Sequence, residues 1–155
     1  MKERHSGPRT GDDGGMDVHV GLPHAEFAFP GPLRDELVAA ILDGSKTSTT
    51  SLVAEYALSD EPLPRIGARQ LVIDSAGQPV AVIETTGVRQ SRLGDVDWEH
   101  ARDEGEGYDS VAGWRAGHEE FWHSTEMRDS LGDAAFIVTG GTLVVLERFR
   151  LVHRL

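Results

Sequence analysis

No cysteine occurs in the 155 residues. That excludes disulfide staples, thiolate nucleophiles and cysteine-ligated zinc, and it fits a reducing compartment. No apolar run approaches the roughly 20 residues needed to span a bilayer, and the N-terminus carries no apolar signal core. The expectation is a soluble, cytoplasmic protein that does not engage membranes. Several chemistry-bearing motifs are missing too. No G-x-G-x-x-G turn follows a strand and no G-x-S-x-G elbow is present. The phosphate-binding P-loop needs glycine directly before its lysine and another earlier. Here Ser45 precedes Lys46, and position 40 is Ala40. His118 and His123 are five apart and do not share a helix face, so neither a metal nor a cofactor is expected.

Positive charge is also scarce. The formal net charge is −11 and the isoelectric point is near 5.0. Such a chain repels long polyanions on average, so long duplex DNA is an unsuitable partner. A nucleoside, a nucleotide or a short single-stranded RNA held at a local site suits the charge better. The length points to one domain with a real core. Residues 1–20, rich in glycine and charge, read as a disordered leader, with the domain over 21–155.

Pro32 to Asp43 reads as a helix. Leu33, Leu37, Val38, Ile41 and Leu42 form its apolar stripe, with proline at the start and Gly44 at the stop. A second short helix is expected around Leu52 to Ala57, with the hydroxyl residues before it capping its free N–H groups. Gln70 to Asp74 and Pro79 to Val88 look like strands joined at Ser75-Ala76-Gly77. Asp95 to Asp103 and Ser110 to His123 read as helices. Phe136 to Thr139 and Thr142 to Val152 read as strands about a tight Gly140-Gly141 hairpin. Strands are interspersed without regular βαβ alternation, so the fold class is α+β around a small, mostly antiparallel sheet or barrel.

Three places can carry chemistry. Lys46 lies among six hydroxyl side chains in Gly44-Ser45-Lys46-Thr47-Ser48-Thr49-Thr50-Ser51. It can anchor phosphate or activate a neighbour, and Thr49 shares its side if helical geometry begins there. The plainer reading is a solvated lysine beside capping hydroxyls. Glu84 shares a strand face with Val80 and Val82 and needs a partner, for which Lys46 is the basic candidate. The alternative is a structural ion pair or a solvated strand end. The third place is Glu104-Gly105-Glu106-Gly107-Tyr108-Asp109-Ser110, whose acids are expected to face outward. Beyond it, Trp114, Arg115 and His118 offer a stacking surface and a cation. In the plainer reading, Trp114, Phe121 and Trp122 are core.

Gly44-Ser45-Lys46-Thr47-Ser48-Thr49 resembles the G-x-K-x-x-T signature of the ASCH domain family. The likeness continues through Thr50-Ser51-Leu52, Tyr56, Gly67, Ile83-Glu84, Ala101, Glu104-Gly105-Glu106-Gly107 and Ser110. It then takes in Trp114-Arg115, His118, Phe121, Leu143-Val144-Val145 and Glu147-Arg148-Phe149, and spans about residues 25 to 153. The resemblance implies a PUA-like β-barrel with helices and a cleft for RNA or nucleoside ligands. Some family members look like ribonucleases. Others remove an acyl group from N4-acylated cytidine with a Lys, Thr and Glu set, which carries onto Lys46, Thr49 and Glu84. Thr47, Ser48, Ser51, Tyr56, Trp114, Arg115 and His118 would then contact the ligand. In that scheme Lys46 takes the Thr49 proton, and backbone N–H groups around Thr47 to Thr49 hold the oxyanion. Where the wider signature often has arginine, this chain has Ser51, which loses a bidentate phosphate contact and favours a smaller ligand. The competing readings are a non-catalytic RNA- or nucleotide-binding regulatory module, and a partner-binding domain without a cleft.

Overall fold

The computed structural model describes residues 21–155, so the expected leader over 1–20 lies outside the described residues. A five-stranded sheet, ordered β1-β3-β4-β5-β2, carries the fold. Its strands are β1 His24–Ala25, β2 Ser48–Leu52, β3 Arg69–Ile73, β4 Pro79–Arg92 and β5 Leu143–Arg154. All pairings are antiparallel except β1 with β3. The helices are α1 Pro32–Asp43, α2 Val53–Leu58, α3 Trp98–Asp103, α4 Val111–Trp122 and α5 Thr125–Leu131. The α+β class is as expected, but the sheet does not close into a barrel. Among the described residues β1 pairs only β3, and β2 pairs only β5. A strand of two residues offers too short a ladder to join the two edges. Among the described residues no helix is long and apolar enough to cross a membrane.

α1 obeys its sequence signals. Pro32 opens it, and Gly44 closes it in the left-handed conformation at φ 86°. Its buried face, Leu37, Val38 and Ile41, packs with Phe27, Val72, Ile83 and Phe149. A second apolar cluster joins Leu52, Leu93, Trp114, Trp122, Met127, Val144 and Leu146. Trp114 and Trp122 are therefore core and not an exposed stacking surface. Serine side chains cap the last two helices, Ser110 for α4 and Ser124 for α5.

Two local expectations change. Ser48–Leu52 is a strand, not a helix-capping loop, and all five of its residues are buried. β-branched threonines suit a pleated ladder, and Val144, Val145 and Leu146 of β5 lie directly opposite. Residues 136–139 form no strand, so the Gly140-Gly141 hairpin does not exist. That stretch is held by His123 and Arg128: Val138 N–H donates to His123 Nε2 at 2.9 Å, and Arg128 Nε to the Phe136 carbonyl at 2.9 Å. Gly140 and Thr142 beyond it meet the residues that follow β4. Gly94 N–H donates to the Gly140 carbonyl at 2.9 Å, and Leu93 N–H to that of Thr142 at 2.8 Å.

Candidate functional site

The turn after α1 aims Lys46 inward. Its backbone N–H still bonds the Ala40 carbonyl, at 3.0 Å, while Thr47 N–H bonds the Asp103 carbonyl at 2.8 Å. The side chain is buried. Nζ donates to the Ser48 carbonyl at 2.9 Å and the Glu104 carbonyl at 3.3 Å, and meets Glu104 Oε1 at 3.5 Å. It also lies 5.8 Å from the Phe27 ring centre. An ammonium has three N–H donors, and all three are engaged. Lys46 is thus neither the solvated lysine nor the phosphate anchor that the sequence allowed.

Its carboxylate is Glu104, not Glu84. Glu84 lies on the sheet surface between Arg69 (3.2 Å) and Arg150 (2.9 Å), whose guanidiniums hold its pKa below the usual value. That is the structural ion pair weighed as the alternative. Glu104 is wholly buried. Its Oε2 accepts from Trp114 Nε1 and, at 3.0 Å, from Thr50 Oγ1. The outward-facing acidic loop is therefore corrected at this residue. Burial opposes the Glu104 charge, yet surrounding positive charge, with His118 and Lys46 contributing, keeps its pKa well below the usual carboxylate range.

Strand alternation separates the hydroxyls. Ser48 and Thr50 face α3: Ser48 Oγ donates to the His100 carbonyl at 2.9 Å, and Thr50 Oγ1 lies 2.8 Å from His100 Nε2. Since the Thr50 proton goes to Glu104, His100 is the donor, through Nε2–H. A neutral ring is consistent with this. Burial pushes the His100 pKa down to about 4, with Glu104 opposing and Lys46 reinforcing. The ordinary value is 6.5, so between those two pH values the unfolded chain binds a proton that the folded chain refuses. Stability is therefore expected to fall as pH drops from 6.5 to about 4, by about 3 kcal/mol for this group. Denaturant midpoints measured across that range should show this slope, and His100→Gln should flatten it.

The opposite face of β2 holds a second buried polar row. Ser51 Oγ is 3.0 Å from Tyr56 Oη, which donates to Glu147 Oε1 at 3.2 Å, and Thr49 stands opposite Glu147 in the ladder. Lys46 pairs with Glu104 while Glu84 is held by Arg69 and Arg150, and the Thr47 N–H is spent on Asp103, so the expected Lys46–Thr49–Glu84 centre is not assembled. Arg115 pairs with Glu119 at 2.9 Å on α4.

His118 stacks on Trp114, with ring centres 4.2 Å apart. Its Nδ1 donates to the Trp114 carbonyl at 2.9 Å. Nε2 points to Glu104 Oε2 (3.3 Å) and Glu106 Oε2 (3.4 Å). Glu106 lines a pocket of about 160 Å³ with Leu33, Glu36, Leu37, Gly105 and Tyr108. Burial, then the nearby carboxylates, raise the pKa of the Tyr108 phenol, which keeps it a hydrogen-bond donor. His100 was not singled out from the sequence, and Glu104, Glu106 and Thr50 were named only within the acidic loop and the hydroxyl run, with no role of their own. The one usable sign was the i,i+4 spacing of His100 and Glu104 about α3.

Comparison with known proteins agrees with this architecture. A solved ASCH domain from Lactobacillus crispatus aligns at 29% identity with a TM-score of 0.67, over 81% of this chain and 77% of that one. A solved protein from Enterococcus faecalis aligns at 26% identity with a TM-score of 0.66, over 77% of this chain and 69% of that one. No curated protein matches. The family model of the ASCH domain matches residues 26–153. The chain therefore belongs to the ASCH domain family, with the PUA-like fold of that family built here on an open sheet.

Proposed function

We propose that the protein binds a nucleoside, base first, in the pocket bounded by α1 and the 105–108 loop. One observation carries the reading. The pocket sets the aliphatic side chains of Leu33 and Leu37 beside the Tyr108 phenol, with the carboxylates of Glu36 and Glu106 in the same lining. A concave, partly apolar site with a few convergent polar groups is the usual form of a small-molecule pocket. A flat heteroaromatic base suits the apolar and aromatic walls, and its amino groups suit the carboxylates. Phosphate does not suit them. Among the described residues no cation lines this pocket, and Lys46 is fully engaged elsewhere. Polymeric RNA and phosphodiester cleavage are accordingly less favoured than a neutral nucleoside. The matching reaction is hydrolysis of an acyl group on an exocyclic amine, with water activated on the His118–Glu106 side of the pocket.

Calorimetric titration with cytidine, N4-acetylcytidine, adenosine, cytidine 5′-monophosphate and a short single-stranded RNA tests this. Nucleosides should bind, the monophosphate more weakly. Tyr108→Ala should weaken nucleoside binding about tenfold, as expected when a stacking contact of about 1–3 kcal/mol is lost. Release of acetate from N4-acetylcytidine, followed by chromatography, tests the hydrolytic step. Tighter, strongly salt-dependent binding of the RNA would favour the RNA reading. Absence of nucleoside binding would reject the pocket.

A further inference from the structure

Among the described residues two buried polar atoms have no hydrogen-bond partner: His118 Nε2 and Glu106 Oε2. His118 is completely buried, and the Glu106 side chain is only 6% exposed. Unpartnered buried polar atoms are costly, so each calls for an explanation. The Nδ1–H of His118 is committed to a backbone carbonyl, which leaves Nε2 to face two carboxylate oxygens. If the ring is neutral, a lone pair meets negative charge. If it is protonated, a charge-assisted hydrogen bond should draw one oxygen to about 2.7–2.9 Å. The distances are 3.3 and 3.4 Å, nearly equal, and neither is a hydrogen bond.

We propose that Glu104, Glu106 and His118 form a site for one divalent first-row cation, Zn²⁺ or Mn²⁺. One ligand atom from each residue lies within 4.8 Å of the other two. Ligands placed about 2.1 Å from a common ion in tetrahedral or octahedral geometry are about 3.0–3.4 Å apart, which is the spacing of Nε2 from both oxygens. The surroundings are those of a supported site. Nδ1–H to a carbonyl fixes the tautomer that presents Nε2, while Trp114 and Thr50 hold the Glu104 carboxylate. One imidazole with two carboxylates selects a borderline ion over Ca²⁺, and the lack of cysteine removes any softer option. Three protein ligands leave a coordination position open. Glu106 belongs to both the cluster and the pocket lining, so the pocket is the entry path. The Glu104–Gly105–Glu106 turn spaces the two carboxylates, and α4 delivers the histidine.

This inference does not rest on the nucleoside reading, because uptake is measured with the metal alone. The full-length protein, dialysed against chelator, would be titrated with ZnCl₂ and separately with MnCl₂ by calorimetry, with thermal melting alongside. One equivalent should bind and the melting temperature should rise. Glu106→Gln, which removes a ligand at the pocket edge and should leave the fold intact, should weaken binding by at least about tenfold and abolish the thermal shift. Wild-type protein that takes up neither ion at millimolar concentration would overturn the proposal. So would a folded Glu106→Gln protein that binds as tightly as wild type, since uptake would then occur elsewhere.

Discussion

Glu104→Gln should destabilise the protein by about 3–5 kcal/mol, the cost of leaving one charge of a buried pair without its partner. The substitution keeps the side-chain shape. It removes the negative charge that Lys46 meets at 3.5 Å in a site where both side chains have no solvent exposure. It also presents amide hydrogens where Trp114 and Thr50 now donate to one oxygen. For a domain of this size the loss corresponds to a fall in melting temperature of about 10 °C or more. Equilibrium unfolding in urea measures it. The double variant Lys46→Met with Glu104→Gln should recover much of the loss, because no uncompensated charge remains. A loss below about 1 kcal/mol for the single variant would mean that water reaches the pair.

Gly105→Ala should be almost as damaging, and for a different reason. Gly105 has φ +69°, and a Cβ there would lie 2.5 Å from the Ser45 carbonyl oxygen and 2.9 Å from the Lys46 nitrogen. Those are backbone atoms and cannot swing aside. Gly107 is the internal control. Its φ is +83°, but an added Cβ meets nothing within 4 Å. Gly107→Ala should therefore cost only the left-handed backbone term, about 1–2 kcal/mol. Gly105→Ala should cost at least about 2 kcal/mol more, because the loop bearing Glu104 and Glu106 must lift from the Lys46 turn. Unfolding curves of the two variants, run side by side, make the comparison. Equal losses would show that the close approach is easily relaxed.

Local signals told the truth about local structure. The stripe in α1, framed by Pro32 and Gly44, and the turn between β3 and β4 were legible because residues adjacent in sequence decide them. The hydroxyl run was ambiguous. Serine and threonine mark helix caps and also fill strands, and only the apolar β5 beside it settles the choice. The short helix α5 was missed, although Ser124 caps it. Lys46 was expected to meet Glu84, and it meets Glu104 instead. Glu84 looked partly buried from the residues around it, whereas its neighbours across the sheet are Arg69 and Arg150, which alternation along one strand cannot reveal. The acids of the Glu-Gly-Glu-Gly loop looked solvated because charged, glycine-rich loops usually are. Their burial follows from the close docking that Gly105 permits on the Lys46 turn.

The Lys46–Glu104 contact joins positions 58 residues apart, and that separation constrains how the molecule opens. A partly unfolded form that released the α3–α4 segment while keeping α1 and β2 in place would strand an ammonium in an apolar cavity. The converse form would strand a carboxylate. Both species are penalised relative to the native state and to the fully solvated chain, so the two halves are bound into one cooperative unit.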